Sequence, residues 1–94
     1  MSEIYNVLEK SKSIEILVAL NDSDKLFLSQ LLEKLGTKDT NTINRRIDTL
    51  RDVGLIKDRG EAKFGGRRYI WLTTKGKKVA TSLASIGKIM KAKQ

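Results

Sequence analysis

The sequence predicts one mainly helical α+β domain over residues 1–94, with two closely spaced helices followed by a β-hairpin and a long C-terminal helix. Three observations support this fold class. Apolar residues recur at helical spacing in four segments. A glycine-rich stretch separates two short strand-like segments. The chain has no proline, no internal repeat and no linker, and 94 residues is the length of a single domain.

The N-terminal part is expected to be helical and to end in a short strand. Apolar residues at near-helical steps predict a helix over residues 1–20, although the polar residues 11–13 interrupt the stripe and mark a candidate break. A polar cluster at 21–24 stops this helix. Residues 26–28 are too few for a helix and are expected to form a brief extended segment.

The next two helices form the centre of the predicted fold. Helix 29–36 and helix 40–53 are joined by about three residues, which is a helix-turn-helix arrangement. The residues expected to delimit them are Ser29 as an N-cap, Gly36 at the first C-terminus, Asp39 or Thr40 as the second N-cap, and Gly54 at the second C-terminus.

Residues 55–73 are expected to form a hairpin around a glycine-rich tip at 60–66. In its second strand Ile70 and Leu72 share one face, whereas Tyr69 and Trp71 share the other. A last helix over 74–92 begins after a threonine cap at position 73 or 74.

Composition excludes most catalytic chemistry. The sequence contains no cysteine and no histidine, which removes thiolates, disulfides, cysteine zinc sites and the commonest acid–base side chain. We therefore expect no catalytic residue, no metal site, no cofactor and no enzymatic activity. The longest apolar run, residues 16–20, is far shorter than the roughly 20 residues of a membrane span. Residues 1–12 lack the apolar core of a signal peptide, so a cytoplasmic location is expected.

The charge distribution indicates an anionic partner. The sequence has 19 basic and 11 acidic residues, a net charge of +8. Residues 1–36 carry a net charge of −2, whereas residues 37–94 carry +10. A field this uneven attracts polyanions. Nucleic acid, an anionic membrane surface and an acidic protein all fit this composition.

Helix 40–53 has an exposed face suited to reading DNA. With about 100° per residue, Ile43, Ile47 and Leu50 face the core. The opposite face carries Asn, Thr and Arg, which read base edges in a major groove, and helix propensity does not account for the Asn and Thr. The expected contacts are Thr40, Asn41, Thr42, Asn44, Arg45, Arg46 and Thr49. The alternative is an ordinary solvated face, with Arg46 covering the edge of the core.

Two acidic residues, Asp48 and Asp52, share that face and would repel phosphates. They could instead orient Arg45 or Arg51 through pairs three or four residues apart. Asp48 could also accept a hydrogen bond from a cytosine amino group. The sequence leaves these roles open.

Basic residues also surround the hairpin tip. Glycines allow a close backbone approach and arginines favour narrow minor grooves. The expected DNA contacts here are Arg59, Lys63, Arg67 and Arg68, and the alternative is a flexible, solvated hairpin. Phe64 is expected to pack. Tyr69 and Trp71 are expected to pack under the N-terminal or C-terminal helix or in an interface, the alternative being a stacking surface for unpaired bases.

The last helix carries an apolar stripe that predicts a homodimer. Val79, Leu83, Ile86 and Met90 follow the spacing of a coiled-coil seam, and a helix extending beyond a small domain cannot bury such a stripe alone. One alternative is that the stripe folds back onto the first helix of its own chain. Another is that it lies on a membrane, which the lack of Trp and Phe there disfavours.

Two sequence segments resemble a known family. Residues 42–56, Thr-Ile-Asn-Arg-Arg-Ile-Asp-Thr-Leu-Arg-Asp-Val-Gly-Leu-Ile, resemble the recognition helix and following strand of winged-helix transcription regulators. Residues 70–76, Ile-Trp-Leu-Thr-Thr-Lys-Gly, resemble the end of the wing, the hairpin of that fold, in MarR-like and HxlR-like proteins. The resemblance covers about residues 14–83. It implies a winged helix-turn-helix fold and a dimeric DNA-binding regulator, most like small archaeal or bacterial members.

These observations together predict a transcription regulator that binds double-stranded DNA sequence-specifically, as a homodimer on an inverted repeat. Two alternatives remain. One is an architectural protein that coats DNA without sequence preference, and the other is a winged-helix module that binds protein. No membrane partner is expected, and no motif indicates a small-molecule effector.

Overall fold

The computed structural model describes residues 2–61 and 67–92, with the side chains of residues 5–60 and 68–92. The elements in this part of the chain are α1 (Ser2–Glu9), α2 (Ser13–Asn21), β1 (Leu26–Phe27), α3 (Leu28–Leu35), α4 (Thr40–Asp52), β2 (Ile56–Glu61), β3 (Arg67–Leu72) and α5 (Thr74–Lys91). The strands pair antiparallel in the order β1-β3-β2. The mainly helical α+β class is confirmed.

The N-terminal helix expected over 1–20 is divided into two helices. α1 ends at Glu9 and α2 begins at Ser13. Between them Lys12 has a φ of 72°, in the left-handed region. This conformation is unfavourable for a residue with a Cβ atom and does not continue a right-handed helix. The polar interruption at residues 11–13 therefore lies at the break.

The start of α3 differs from the expectation. β1 has two residues instead of three, and α3 begins at Leu28, so Ser29 lies inside the helix and is not its N-cap. Phe27 occupies the cap position, and its amide donates a hydrogen bond of 2.9 Å to the Gln30 side chain. A glutamine at this position satisfies one of the free amide groups near the helix N-terminus.

The other caps of the two central helices agree with the sequence. Gly36 ends α3 with a φ of 66°, a conformation that glycine adopts without steric cost. Asp39 caps α4 by accepting a hydrogen bond from the Thr42 amide at 3.1 Å. Gly54, with a φ of 83°, follows the end of α4. These local signals hold α3 and α4 in the helix-turn-helix arrangement.

The core lies between the helices and one face of the sheet. The expected inward residues of α4, Ile43, Ile47 and Leu50, are all completely buried. They join a single apolar cluster with buried residues from the other elements: Val7, Ile16, Leu17, Leu20, Leu26, Leu31, Leu55, Ile56, Ile70, Leu72 and Ala80. This packing fixes the orientation of α4 and leaves its opposite face outward.

The start of α5 is attached closely to the segment that follows α4. The Thr73 side chain caps α5 by accepting from the Gly76 amide at 2.9 Å, and its hydroxyl donates to the Gly54 carbonyl at 2.7 Å. Gly76 is buried, and a Cβ atom there would overlap the Leu55 carbonyl oxygen. The ammonium group of Lys75 donates to the Val53 carbonyl at 3.3 Å. No helix in the described part of the chain is long and apolar enough to cross a membrane.

Candidate nucleic-acid interface

The N-terminal turns of α4 present exposed polar side chains. Thr40, Asn41 and Arg45 are exposed, and the side chains of Asn41 and Arg45 make no hydrogen bond or ion pair with any residue that the structure describes. Arg45 lies close enough to Asp39 for its charge to act on that carboxylate. The expected base-reading residues Asn41 and Arg45 are therefore placed on an open surface.

The Thr42 hydroxyl is used in the helix cap. It donates to the second Asp39 carboxylate oxygen at 2.6 Å, while the Thr42 amide donates to the first. These two hydrogen bonds, together with the charge of Arg45, lower the pKa of Asp39 below its ordinary value. Thr42 therefore keeps its methyl group and an oxygen lone pair for a ligand, whereas its proton serves the cap.

Two other expected contacts on α4 are tied to backbone carbonyls. The Thr49 hydroxyl donates to the Arg45 carbonyl at 2.9 Å, one turn earlier in the same helix. The Arg46 side chain donates through Nε to the Ser11 carbonyl at 2.9 Å, in the break between α1 and α2. Arg46 thus links α4 to the N-terminal helices. This position resembles the alternative role for Arg46, a side chain that covers the edge of the core.

Arg68 occupies the centre of a polar cluster between α4 and the hairpin. Its guanidinium donates to Asp58 on β2 at 2.8 Å, and to Asn44 and Asp48 on α4 at 2.7 and 2.8 Å. Its side chain is only 18% exposed. Arg68 uses three of its five N–H donors within the chain, so its expected contact with DNA from the wing stays a prediction.

The ionisation of this cluster follows from its geometry. Burial alone would lower the pKa of Arg68, but the hydrogen bonds and charges of Asp48 and Asp58 outweigh it and raise that pKa. Burial would likewise raise the pKa of Asp58, yet Arg68 and Arg51 lower it. Asp58 and Arg68 are therefore both charged at neutral pH.

The same cluster explains the acidic residues on α4. Asp48 pairs with Arg68 and also with Arg51, at 3.4 Å. Arg51 contacts Asp58 at 3.3 Å and exposed Asp52 at 3.8 Å. Of the roles that the sequence left open, the structure has Asp48 paired with Arg51 and not hydrogen-bonded to Arg45. Its charge is balanced within the chain, which reduces its repulsion of phosphates.

Three further basic residues of the hairpin segment were expected to contact DNA. Arg59 is exposed on β2. Lys63 and Phe64, and the side chain of Arg67, lie outside the described residues, so their contacts remain predictions.

The apolar stripe of α5 also divides. Val79 and Leu83 are half-buried and pack against the core of their own chain, which agrees in part with the fold-back alternative. Ile86 is 53% exposed and Met90 is 78% exposed, with Ile89 beside them at 71%. The C-terminal half of the helix therefore presents a contiguous apolar surface that the described part of the chain does not cover.

Tyr69 and Trp71 lie on the outer face of the sheet, opposite buried Ile70 and Leu72. The Tyr69 ring packs against Phe27 with 4.4 Å between ring centroids. Both side chains are half-buried, so their packing under a terminal helix or in an interface stays a prediction.

Similarity to known proteins is found in structure and not in sequence. No family model and no curated protein matches the chain. A MarR-family transcriptional regulator from Porphyromonas gingivalis W83 superposes with a TM-score of 0.84 at 18% identity, covering 98% of this chain and 90% of that one. The regulator YtfH from Salmonella typhimurium gives a TM-score of 0.85 at 20% identity, with coverages of 95% and 79%.

A third neighbour is a protein assigned to the HxlR family of transcription factors in Thermoplasma volcanium GSS1. Its TM-score is 0.78 at 25% identity, and the match covers 93% of this chain and 77% of that one. The chain therefore has the winged helix-turn-helix fold of MarR-like and HxlR-like proteins, as the sequence resemblance implied. In this fold α4 is the recognition helix and β2–β3 is the wing. All three neighbours are named as transcription regulators or factors.

Proposed function

We propose that this protein is a cytoplasmic transcription regulator that binds double-stranded DNA sequence-specifically as a homodimer. The observation that supports it most directly is the exposure of Asn41 and Arg45 on the recognition helix, where their polar groups have no hydrogen bond within the described chain. Arginine pairs with guanine, and asparagine with adenine, through two hydrogen bonds in the major groove. The structural likeness to transcription regulators supports the same function.

Asn44 has a narrower role in this proposal than Asn41. Its side-chain oxygen accepts from Arg68 at 2.7 Å, so the amide NH₂ group is the part available to a ligand. A pair of hydrogen bonds to adenine needs both the oxygen and the NH₂ group. We therefore propose that the Asn44 NH₂ group donates to an acceptor on DNA, either a guanine or thymine oxygen or a phosphate. Thr42, whose proton is held by Asp39, is assigned to a thymine methyl group.

The phosphate contacts in this proposal come from basic residues of α4 and of the hairpin segment. Arg46, Arg59, Lys63 and Arg67 are the candidates, with Thr40 and Thr49 as neutral neighbours. If about six phosphates are neutralised, affinity should fall about 10³-fold between about 50 and 200 mM salt, because condensed cations are released on binding. Fluorescence anisotropy with a labelled duplex measures this slope, and an affinity independent of salt would contradict it.

The dimer is proposed to form through the uncovered half of α5. Ile86, Ile89 and Met90 are exposed apolar side chains on one helix, and a second copy would remove them from water. Two-fold symmetry would place the two recognition helices about 34 Å apart, in successive major grooves, so the binding site should be an inverted repeat.

Substitution separates this interface from the rest of the molecule. Met90→Asp should yield monomers in light scattering at concentrations where the wild type is dimeric, because a buried carboxylate in the seam is unfavourable. Ser85→Asp, on an exposed position of the same helix, is the matched control and should remain dimeric. Equal behaviour of the two variants would place the interface elsewhere.

Selection of bound duplexes from a random pool tests the function itself. A regulator should enrich an inverted repeat whose half-sites lose affinity on base substitution. Binding without enrichment would support the coating protein, for which the net charge of +10 over residues 37–94 is the favouring observation. Absence of binding at low salt would reject both and leave the protein-binding module.

A further inference from the structure

The outer face of the sheet carries a second cluster of basic and aromatic side chains. In the sheet register Arg59 lies opposite Tyr69, and Lys57 opposite Trp71, while Phe27 lies opposite Tyr69 on its other side. Residues directly opposite each other in neighbouring strands point to the same face. With Lys25, which precedes β1, they form what is here called the aromatic-basic face: Lys25, Phe27, Lys57, Arg59, Tyr69 and Trp71.

The rings of this face are arranged side by side and partly open. The Lys25 ammonium lies 5.4 Å from the Tyr69 ring centroid and 5.1 Å from that of Trp71, so it covers both rings from the solvent side. Lys25 is itself exposed. A cation held over aromatic rings at an exposed site is bound only weakly. A flat ligand group can therefore displace it at little cost.

The space above the rings is an open groove of about 300 Å³, lined by Lys25, Arg59, Tyr69 and Trp71. The six side chains of the face include three cations and three aromatic rings, and none is acidic. A ligand that matches the groove must therefore bring both a negative charge and a flat, stackable group. The exposed end of the recognition helix has no aromatic ring, so the two surfaces differ in chemistry.

We propose that the aromatic-basic face binds single-stranded nucleic acid. An unpaired base stacks on Trp71 and Tyr69, and the flanking phosphates contact Lys25, Lys57 and Arg59. Bases within a duplex are already stacked on one another and do not expose the flat surfaces that these rings require, whereas unpaired bases do. Carboxylates of an acidic peptide would satisfy the cations but would leave the rings without a partner. Arg59 is shared with the phosphate contacts proposed for the duplex, whereas Lys25, Tyr69 and Trp71 belong to this face alone.

The sequence supplies a spectroscopic probe at this site, because Trp71 is its only tryptophan. Titration of the full chain with an oligothymidylate of about eight nucleotides should quench Trp71 fluorescence in a saturable manner, since base stacking alters the indole. A hairpin duplex of matched phosphate number, inorganic polyphosphate and polyglutamate are the comparison ligands. Quenching by any of these as strong as that by the oligothymidylate would overturn the proposal, as would the absence of quenching.

Variants show whether the quenching reports a built site. By anisotropy at constant salt, Tyr69→Ala should weaken binding of the oligothymidylate about tenfold or more, through lost stacking. Lys25→Gln should lower the slope of log affinity against log salt by about 0.7, the value for one phosphate on a single strand. Lys77→Gln, an exposed cation on α5, is the control and should change neither. Far-ultraviolet circular dichroism verifies that each variant is folded.

The outcomes distinguish this proposal from that for the duplex. Arg45→Ala should weaken binding to the selected duplex and leave the oligothymidylate affinity unchanged, whereas Lys25→Gln should do the reverse. Loss of duplex binding in the wild type with single-strand binding intact would reject the regulator but retain this site. Equal effects of Lys25→Gln and Lys77→Gln on the oligothymidylate would reject this site but retain the regulator.

Discussion

The two ends of the recognition helix contrast in how they use their polar side chains. Near the N-terminus, the side chains of Asn41 and Arg45 are exposed and make no hydrogen bond within the described chain. Toward the C-terminus, Asp48 pairs with Arg68 of the hairpin, and Arg51 pairs with Asp58 of the hairpin and with Asp48. One end is available to a partner, while the other is part of the fold.

This contrast shows that a polar helix face is not uniform in function. A charged group that is already paired gains little from a ligand, because binding must first break the internal bond. A group without an internal partner only exchanges its hydrogen bonds to water for hydrogen bonds to the ligand. Polarity alone therefore identifies the face, whereas the hydrogen-bond partners of each residue identify which part of it can read DNA.

The largest expected effect is on the internally bonded end. Arg68→Ala should lower the free energy of unfolding by about 2–3 kcal/mol, because Asp58, whose side chain is 15% exposed, loses its main partner. Urea denaturation measures this loss. Arg59→Ala, an exposed arginine of the same hairpin, is the control and should change stability by less than about 0.5 kcal/mol. Similar losses in both variants would mean that the cluster contributes nothing specific.

The exposed end should respond in binding and not in stability. Arg45→Ala should cost about 1–3 kcal/mol of binding free energy on the selected duplex and much less on random DNA. Unfolding should be nearly unchanged, because the Arg45 side chain makes no internal hydrogen bond. Paired anisotropy titrations on the two duplexes measure the difference. Equal losses on both would make Arg45 a phosphate contact and weaken the contrast between the two ends.

The smallest expected effect concerns acid pH. The pKa of Asp58 is lowered in the folded chain, so the folded state releases its proton more readily than the unfolded state. The stabilisation by ionised Asp58 is therefore complete above the pKa of about 3.9 that Asp has in the unfolded chain. It is lost as pH falls through the lower pKa of Asp58 in the folded chain. The difference in unfolding free energy between wild type and Asp58→Asn should be largest above about pH 5 and shrink toward pH 2.

A matched variant makes this pH test specific. Asp52 is 74% exposed and only 3.8 Å from Arg51. Thermal unfolding of Asp52→Asn across the same pH range should follow the wild type closely, because exposed pairs contribute little. If the difference in unfolding free energy between the wild type and Asp58→Asn does not change with pH, the carboxylate stabilises the cluster by packing and not by its charge.

Local features of the fold were accessible from the sequence. Gly36 and Asp39 delimit the central helices through contacts within three or four residues, and the spacing of Ile43, Ile47 and Leu50 identified the buried stripe. The resemblance of residues 42–56 and 70–76 to winged-helix regulators agreed with the architecture. These predictions succeeded because each depends on neighbours along the chain.

Two features of the structure were not predicted. The first is the set of bonds from Arg68 to Asp58, Asn44 and Asp48, which span 10 to 24 positions and require the exact hairpin register. Ser29 has the chemistry of an N-cap, yet α3 starts earlier, where Gln30 reaches the Phe27 amide. The first feature depends on partners that are distant in sequence, whereas the second is a choice between two local caps.

The absence of a side chain at Gly76 has a consequence for how the two functional helices would act together. It lets the first turn of α5 rest directly on Leu55, next to the carbonyls of Val53 and Gly54 that Lys75 and Thr73 hold. These contacts hold the end of α4 against the start of α5. In the proposed dimer, the distance between half-sites would be set at this junction, by residues that touch neither a base nor the partner.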